Sequence, residues 1–206
     1  MIRLNISILI FLMTIFSVNG QSAMTPEQIL AKSVSVVSNS KGVEAKFSVS
    51  GSGYSGHGEI KTSGGKFTVT LPDVEVWYNG KNLYTYNKKS GETTLITPTS
   101  EELSETNPLA YITGAGKNYN VSFSTVKKPS KYVLELLPKS KNGGIKRITL
   151  TLNKANYTPE KIVMEPKNGT PLTAEINSFK SNVSLSANDF EYPKTKYPKV
   201  EIIDLR

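Results

Sequence analysis

The chain has 206 residues, a formal charge of +8, no cysteine and one histidine, His57. That length suits one domain with a core of its own. The missing cysteine excludes disulfides, a lipidated N-terminal cysteine and cysteine nucleophiles, and a single histidine is too few for the usual zinc sets. The basic residues are scattered, with Lys139, Lys141, Lys146 and Arg147 the densest group. No nucleic-acid motif accompanies them. The charge reads as a solvated surface, with a weak attraction to anionic lipid headgroups as the alternative.

Residues 1–20, "MIRLNISILIFLMTIFSVNG", place Arg3 before an apolar run over 6–16 and then small residues. This is the layout of a secretory signal peptide cut near Gly20. The rival reading, a membrane anchor, asks a run of this length to span a bilayer, and it is too short. Removing residues 1–20 takes one Arg and no acid, so the charge falls from +8 to +7. Residues 21–206 are expected to form a single exported domain.

Next comes "MTPEQILAKSVSVVSNSKG". Thr25 and Gln28 stand in capping-box spacing, Pro26 suits the first turn, and Ile29, Leu30, Val34, Val36 and Val37 recur at helical intervals. One amphipathic helix is predicted, stopping before Gly42. The period then changes to two. Val43, Ala45, Phe47 and Val49 alternate with polar residues, as do Phe67, Val69 and Leu71. The stretch 75–96, "EVWYNGKNLYTYNKKSGETTLI", reads as three strands joined by turns at Asn79-Gly80 and at 88–91. A two-residue turn at Asn79-Gly80 sets Val76 opposite Leu83, with Tyr78 on the same face. The other face carries Trp77, Tyr84 and Tyr86. Large apolar groups on both parities demand a cover on each side.

Residues 97–116, "TPTSEELSETNPLAYITGAG", interrupt the strands. Thr99 and Glu102 form a second capping-box pair, and Asn107-Pro108 predicts a break, so one or two short helices are expected. Five further strands follow: "YNVSFSTV", "KYVLELLP", "IKRITLTL", "EKIVMEP" and "LTAEINSF", separated by turn clusters. Short strands at regular spacing mean an antiparallel meander. The expected fold is mainly β with a few helices: a strongly curved antiparallel sheet forming an incomplete barrel, closed by an N-terminal helix and a short helical lid. The helices either finish a dry core or leave an apolar cavity between themselves and the sheet.

Catalysis finds little support. His57 lies in glycine-rich "GSGYSGHGEI", which suggests a mobile turn. The GxGxxG formed by Gly51, Gly53 and Gly56 is followed by strand and not by the helix a pyrophosphate site needs. The pairs Glu101–Glu102 and Asp189–Glu191 look like solvated helix-start and strand-end charges. No catalytic residue, metal site or cofactor is expected.

The order of parts resembles the outer-membrane lipoprotein carrier proteins, the LolA-like family, over nearly all of residues 21–206. The capped helix and the strand with Phe47 carry the resemblance, then "GHGEIKTSGGKFTVTLPD", "YNGKNLYTYN", "TNPLAYI" in the place of a lid helix, "LLPKSKNGGIKRITLTLNK" and the closing "FEYPKTKYPKVEIID". It implies a monomeric periplasmic carrier that takes lipoprotein acyl chains, or another lipid cargo, from an inner-membrane donor complex to an outer-membrane acceptor. The acyl-binding residues implied are Phe47, Val49, Phe67, Val69, Leu71, Val76 and Leu83 on the sheet, with Leu109 and Ile112 on the lid. One departure stands out. Many members place Arg-Pro just before the phenylalanine of "GKF", an arginine tied to lid closure, whereas this chain reads "KTSGGKF". Lys61 or Lys66 supplies charge there but not a bidentate fork. A different class of function also stays open: a secreted interaction module that uses Trp77, Tyr84 and Tyr86 as an exposed aromatic patch.

Overall fold

A computed structural model describes residues 23–206 apart from 39, 52, 141 and 142. The signal peptide expected over 1–20 lies outside the described residues. Helix α1, Pro26–Ser38, starts as its spacing predicts. The Thr25 amide donates to Gln28 Oε1 at 2.9 Å, and the Gln28 amide donates to Thr25 Oγ1 at 3.3 Å, which satisfies amides that the helix leaves free. Ile29, Leu30, Ser33 and Val37 form its buried stripe.

Six strands follow in meander order: β1 Val43–Gly51, β2 Tyr54–Ser63, β3 Lys66–Thr70, β4 Val74–Tyr78, β5 Leu83–Asn87 and β6 Glu92–Ile96. Three short helices come next, α2 Ser100–Thr106, α3 Ala110–Thr113 and α4 Ala115–Asn118. Five strands return: β7 Tyr119–Phe123, β8 Lys131–Pro138, β9 Ile145–Asn153, β10 Pro159–Pro166 and β11 Leu172–Ser181. A 3-10 turn, Ala187–Phe190, and β12, Ile202–Asp204, complete the described chain.

The sheet order is β12-β6-β5-β4-β3-β2-β1-β11-β10-β9-β8-β7. β1 is central, paired antiparallel with β2 on one side and with β11 on the other. Two wings grow outward from it, one ending at β6 and β12, the other at β7. No ladder joins β7 to β12 among the described residues, so the sheet is a strongly curved, unclosed half-barrel. Chain running from β6 to β7 must cross from one wing to the other. It does so as α2, α3 and α4, and Leu109, Tyr111, Ile112 and Ala115 enter the same buried cluster as α1 and the strands.

The hairpin at 74–87 departs from expectation by two residues. Tyr78 pairs with Leu83 and Val76 with Thr85, not Val76 with Leu83. The cause is the Asn79 side chain, whose Oδ1 accepts from the amides of Lys81 (3.1 Å) and Asn82 (2.9 Å). This moves Gly80, at φ +97°, to the first central position of the turn. A shift of two preserves parity, so the assignment of faces survives. Three helices occupy 97–118 in place of one or two. The Thr99–Glu102 capping box is present, and Asn107 ends α2. His57 is not in a turn: it lies within β2, opposite Ser48, and is exposed. One strand pair is parallel, β12 on β6.

The outer face of β4–β6 is not an exposed aromatic patch. The C-terminal segment covers it. Tyr192 meets Trp77 edge-on at 5.4 Å between centroids and stacks on Tyr84 at 5.1 Å, while Tyr197 lies 4.4 Å from Tyr86. Trp77 retains only 8% of its accessible surface. Beneath the rings, Glu75 accepts from Lys196 (3.0 Å), Tyr197 (2.9 Å) and Lys88 (3.2 Å). Burial pushes its carboxyl up, but these donors together outweigh burial and hold it below its ordinary value.

Candidate functional site: a helix-covered apolar hollow

Alternation fixes which residues can face the hollow. On β1 the inward set is Val43, Ala45, Phe47 and Val49; on β3 it is Phe67 and Val69; on β4 and β5 it includes Val76 and Leu83. The opposite wing adds Leu134, Leu136, Ile148, Leu150 and Leu152. A bulge between Lys46 and Phe47 shifts the β1–β11 register, bringing Phe47 opposite Ile176. Gly58, paired with Phe47, has no side chain for a reason: a Cβ there would stand 2.6 Å from the Phe47 ring and 2.7 Å from Leu71.

All nine residues expected to meet an apolar guest therefore share one face or its helical cover. Phe47, Phe67, Val69, Val76, Leu83, Leu109 and Ile112 are buried in the central cluster, and Val49 and Leu71 pack against it half-buried. Open space lies beside them. A cleft of about 720 Å³ runs between α1, the α3–α4 corner and the edge strand β7, lined by Leu30, Ala31, Val34, Tyr119 and Val121. Glu27, Lys117 and Lys139 stand among its walls, and Lys139 Nζ donates to the carbonyls of Lys117 (3.0 Å) and Gly116 (3.3 Å). Burial raises the Tyr119 phenol above its ordinary value.

A smaller cleft, about 220 Å³, lies where α2 and α3 meet the β2–β3 turn. Phe67 and Leu109 line it, together with Ser63, Gly64 and Gly65 of "KTSGGKF". Ser63 Oγ donates to the Lys41 carbonyl at 2.6 Å, and Gly64 (φ +56°) and Gly65 (φ +81°) take turn conformations that side chains resist. The stretch without the arginine does face the helical cover.

The cover has two parts. α3 and the residues beside it form a plug, with Leu109, Ile112 and Ala115 almost wholly buried. α2 is a flap: of its described side chains only Leu103 and Thr106 are partly covered. The larger cleft was not legible in the sequence. Its one signal is that the apolar stripe of α1 is wider than its buried edge: Ala31 and Val34 extend it beyond Ile29, Leu30 and Val37.

An open antiparallel half-barrel with an apolar hollow under helices is the class of protein these features define. The chain belongs to the family described as outer membrane lipoprotein carrier protein LolA, whose model matches residues 16–169. Among solved structures, an uncharacterized conserved protein from Thermus thermophilus is similar in fold, with a TM-score of 0.59 and 14% identity, covering 86% of this chain and 98% of that one. A LolA superfamily protein from Nitrosomonas europaea aligns at TM-score 0.45 and 12% identity, covering 82% of this chain and 99% of that one. No curated protein matches the sequence.

Proposed function

We propose that residues 21–206 act as one periplasmic carrier domain, exported by residues 1–20, that shelters lipoprotein acyl chains on the way from an inner-membrane donor complex to an outer-membrane acceptor. The observation that carries this reading is the apolar cleft of about 720 Å³ between α1 and β7, beside a hollow already lined by aliphatic side chains. Its volume falls within the ordinary range of small-molecule sites. Each methylene kept from water is worth about 0.8 kcal/mol, so an acylated protein gains much by occupying such a space. Phe47, Val49, Phe67, Val69, Leu71, Val76, Leu83, Leu109 and Ile112 become the lining once the α2 flap and α3 plug give way to the guest. Release needs no chemistry: a partner that favours the open arrangement shifts the population. Without the arginine near Ser63, the cover is held by packing and by contacts such as Lys139 on the carbonyls of Gly116 and Lys117, and a lipid cargo other than a lipoprotein fits the same hollow.

Native mass spectrometry of gently purified protein tests this. Acyl-bearing mass on the protein, displaced by a fluorescent fatty-acid probe, is the expected result. Protein that carries no such mass and takes up no probe would overturn the proposal.

A further inference from the structure

The end of the half-barrel at the β7–β8 and β9–β10 turns is unlike the rest of the surface. Few large apolar side chains are exposed among the described residues, and two of them sit here: Phe123, the last residue of the edge strand, at 51%, and Val126 at 56%. Lys127 and Lys128 follow directly. The β9–β10 turn is fastened alongside, since the Lys154 amide donates to the Ser130 carbonyl at 3.1 Å. Lys154 Nζ stands over the Tyr132 ring, which stacks on Tyr157 at 6.0 Å, and Lys32 Nζ stands over Tyr157.

Nearby acids are already engaged. Glu160 is bonded to Lys131 and Asn153. Glu175 is bonded to Lys161, which with a smaller contribution from Lys128 holds its carboxyl low. Among the described residues, Lys32, Lys127, Lys128 and Lys154 have no acid within ion-pair distance.

We propose that this end docks on an anionic phospholipid surface, with Val126 and Phe123 entering the headgroup region and Lys127, Lys128, Lys154 and Lys32 meeting lipid phosphates. Charge complementarity selects this occupant over a protein. Protein interfaces have apolar cores depleted in lysine, whereas two exposed apolar side chains accompanied by four lysines offer too little area for such a core. Lysines with long flexible stems and aromatic rings beside them suit the interfacial layer of a bilayer. The contact is reversible by construction, because two small apolar anchors and screened charges do not hold a protein permanently. It stands independently of the cargo.

The test is flotation of the full mature chain with vesicles of equal parts phosphatidylglycerol and phosphatidylcholine, against phosphatidylcholine alone. Binding to the anionic vesicles, lost in high salt and absent from neutral ones, is expected. Each lysine near such a surface contributes about fivefold, so the Lys127→Ala, Lys128→Ala pair lowers partitioning about 25-fold. Val126→Asp loses binding while taking up fatty-acid probe as the parent does, which separates this proposal from the carrier reading and shows that the variant is folded. In Val126→Trp the new indole emission shifts to the blue on anionic vesicles. Failure to bind anionic vesicles overturns the proposal and leaves the tip to a protein contact. Undiminished binding by both lysine and Val126 variants overturns it as well, and moves the contact elsewhere.

Discussion

The hairpin β4–β5 has two faces, and the protein covers them in different ways. The inner face carries Val76, Leu83 and Tyr78, which join or pack against the central cluster shared with α1 and the short helices, and a cleft opens where α2 and α3 meet the neighbouring β2–β3 turn. The outer face is aromatic, and residues 190–200 lock onto it through ring contacts, the Thr93–Tyr192 hydroxyl bond at 3.0 Å, and Lys196 and Tyr197, two of the three donors on Glu75. Directional contacts fix one partner in one place. Aliphatic packing under short helices fixes volume but not orientation, so it can be exchanged for another apolar guest at little cost. The outer cover is a fastening, and the inner one is, on the function proposed above, a seat.

The largest effect that separates the two faces is expected from Trp77→Ala. It empties the centre of the outer cluster and should lower stability by about 3–5 kcal/mol in denaturant unfolding, with fatty-acid probe uptake unchanged at temperatures where the variant is folded. The converse variant is Val34→Glu, in the wall of the larger cleft. Val34 is only half-buried, so stability should fall by about 1 kcal/mol or less, while probe uptake is lost. If Trp77→Ala impairs uptake and Val34→Glu does not, the assignment of seat and fastening is reversed.

A third test uses pH. Glu75 is held below its ordinary value of 4.5, so its contribution is present above that value and fades as pH falls through its lower folded value. Glu75→Gln should cost about 1–2 kcal/mol near neutrality and flatten the acid limb of the stability curve. The smallest effect concerns the seat. Ser33 is fully buried on α1, and its Oγ has no hydrogen-bond partner among the described residues. Ser33→Ala should raise the unfolding free energy by about 1 kcal/mol.

What the sequence disclosed follows from the range of the forces involved. The capped start of α1, the Thr99–Glu102 box and the break at Asn107 are local, and all three were legible. The parity of β4 and β5 was legible too, although the register was not, because one Asn79 side chain recruited two amides that a simpler turn leaves free. The cover over Trp77 could not be read, since Tyr192 and Tyr197 lie more than a hundred residues downstream and "FEYPKTKYPKV" has no periodicity. Nor could the larger cleft. Its walls, α1, the α3–α4 corner and β7, are brought together only by the fold, and the width of the apolar stripe of α1 is its one trace along the chain.

The central position of β1 also sets the order in which the molecule can be built. β1 zips to β2 through a short hairpin, but its other neighbour is β11, with Val43 opposite Ser181. Strands β2–β6 and β7–β11 are runs of local hairpins that form quickly, whereas the β1–β11 seam and the β6–β12 pair at the far edge require closing long loops. The middle of the sheet is thus a late seam. For a chain made N-terminus first, the inward residues of β1 must wait, half-dressed, until β11 arrives.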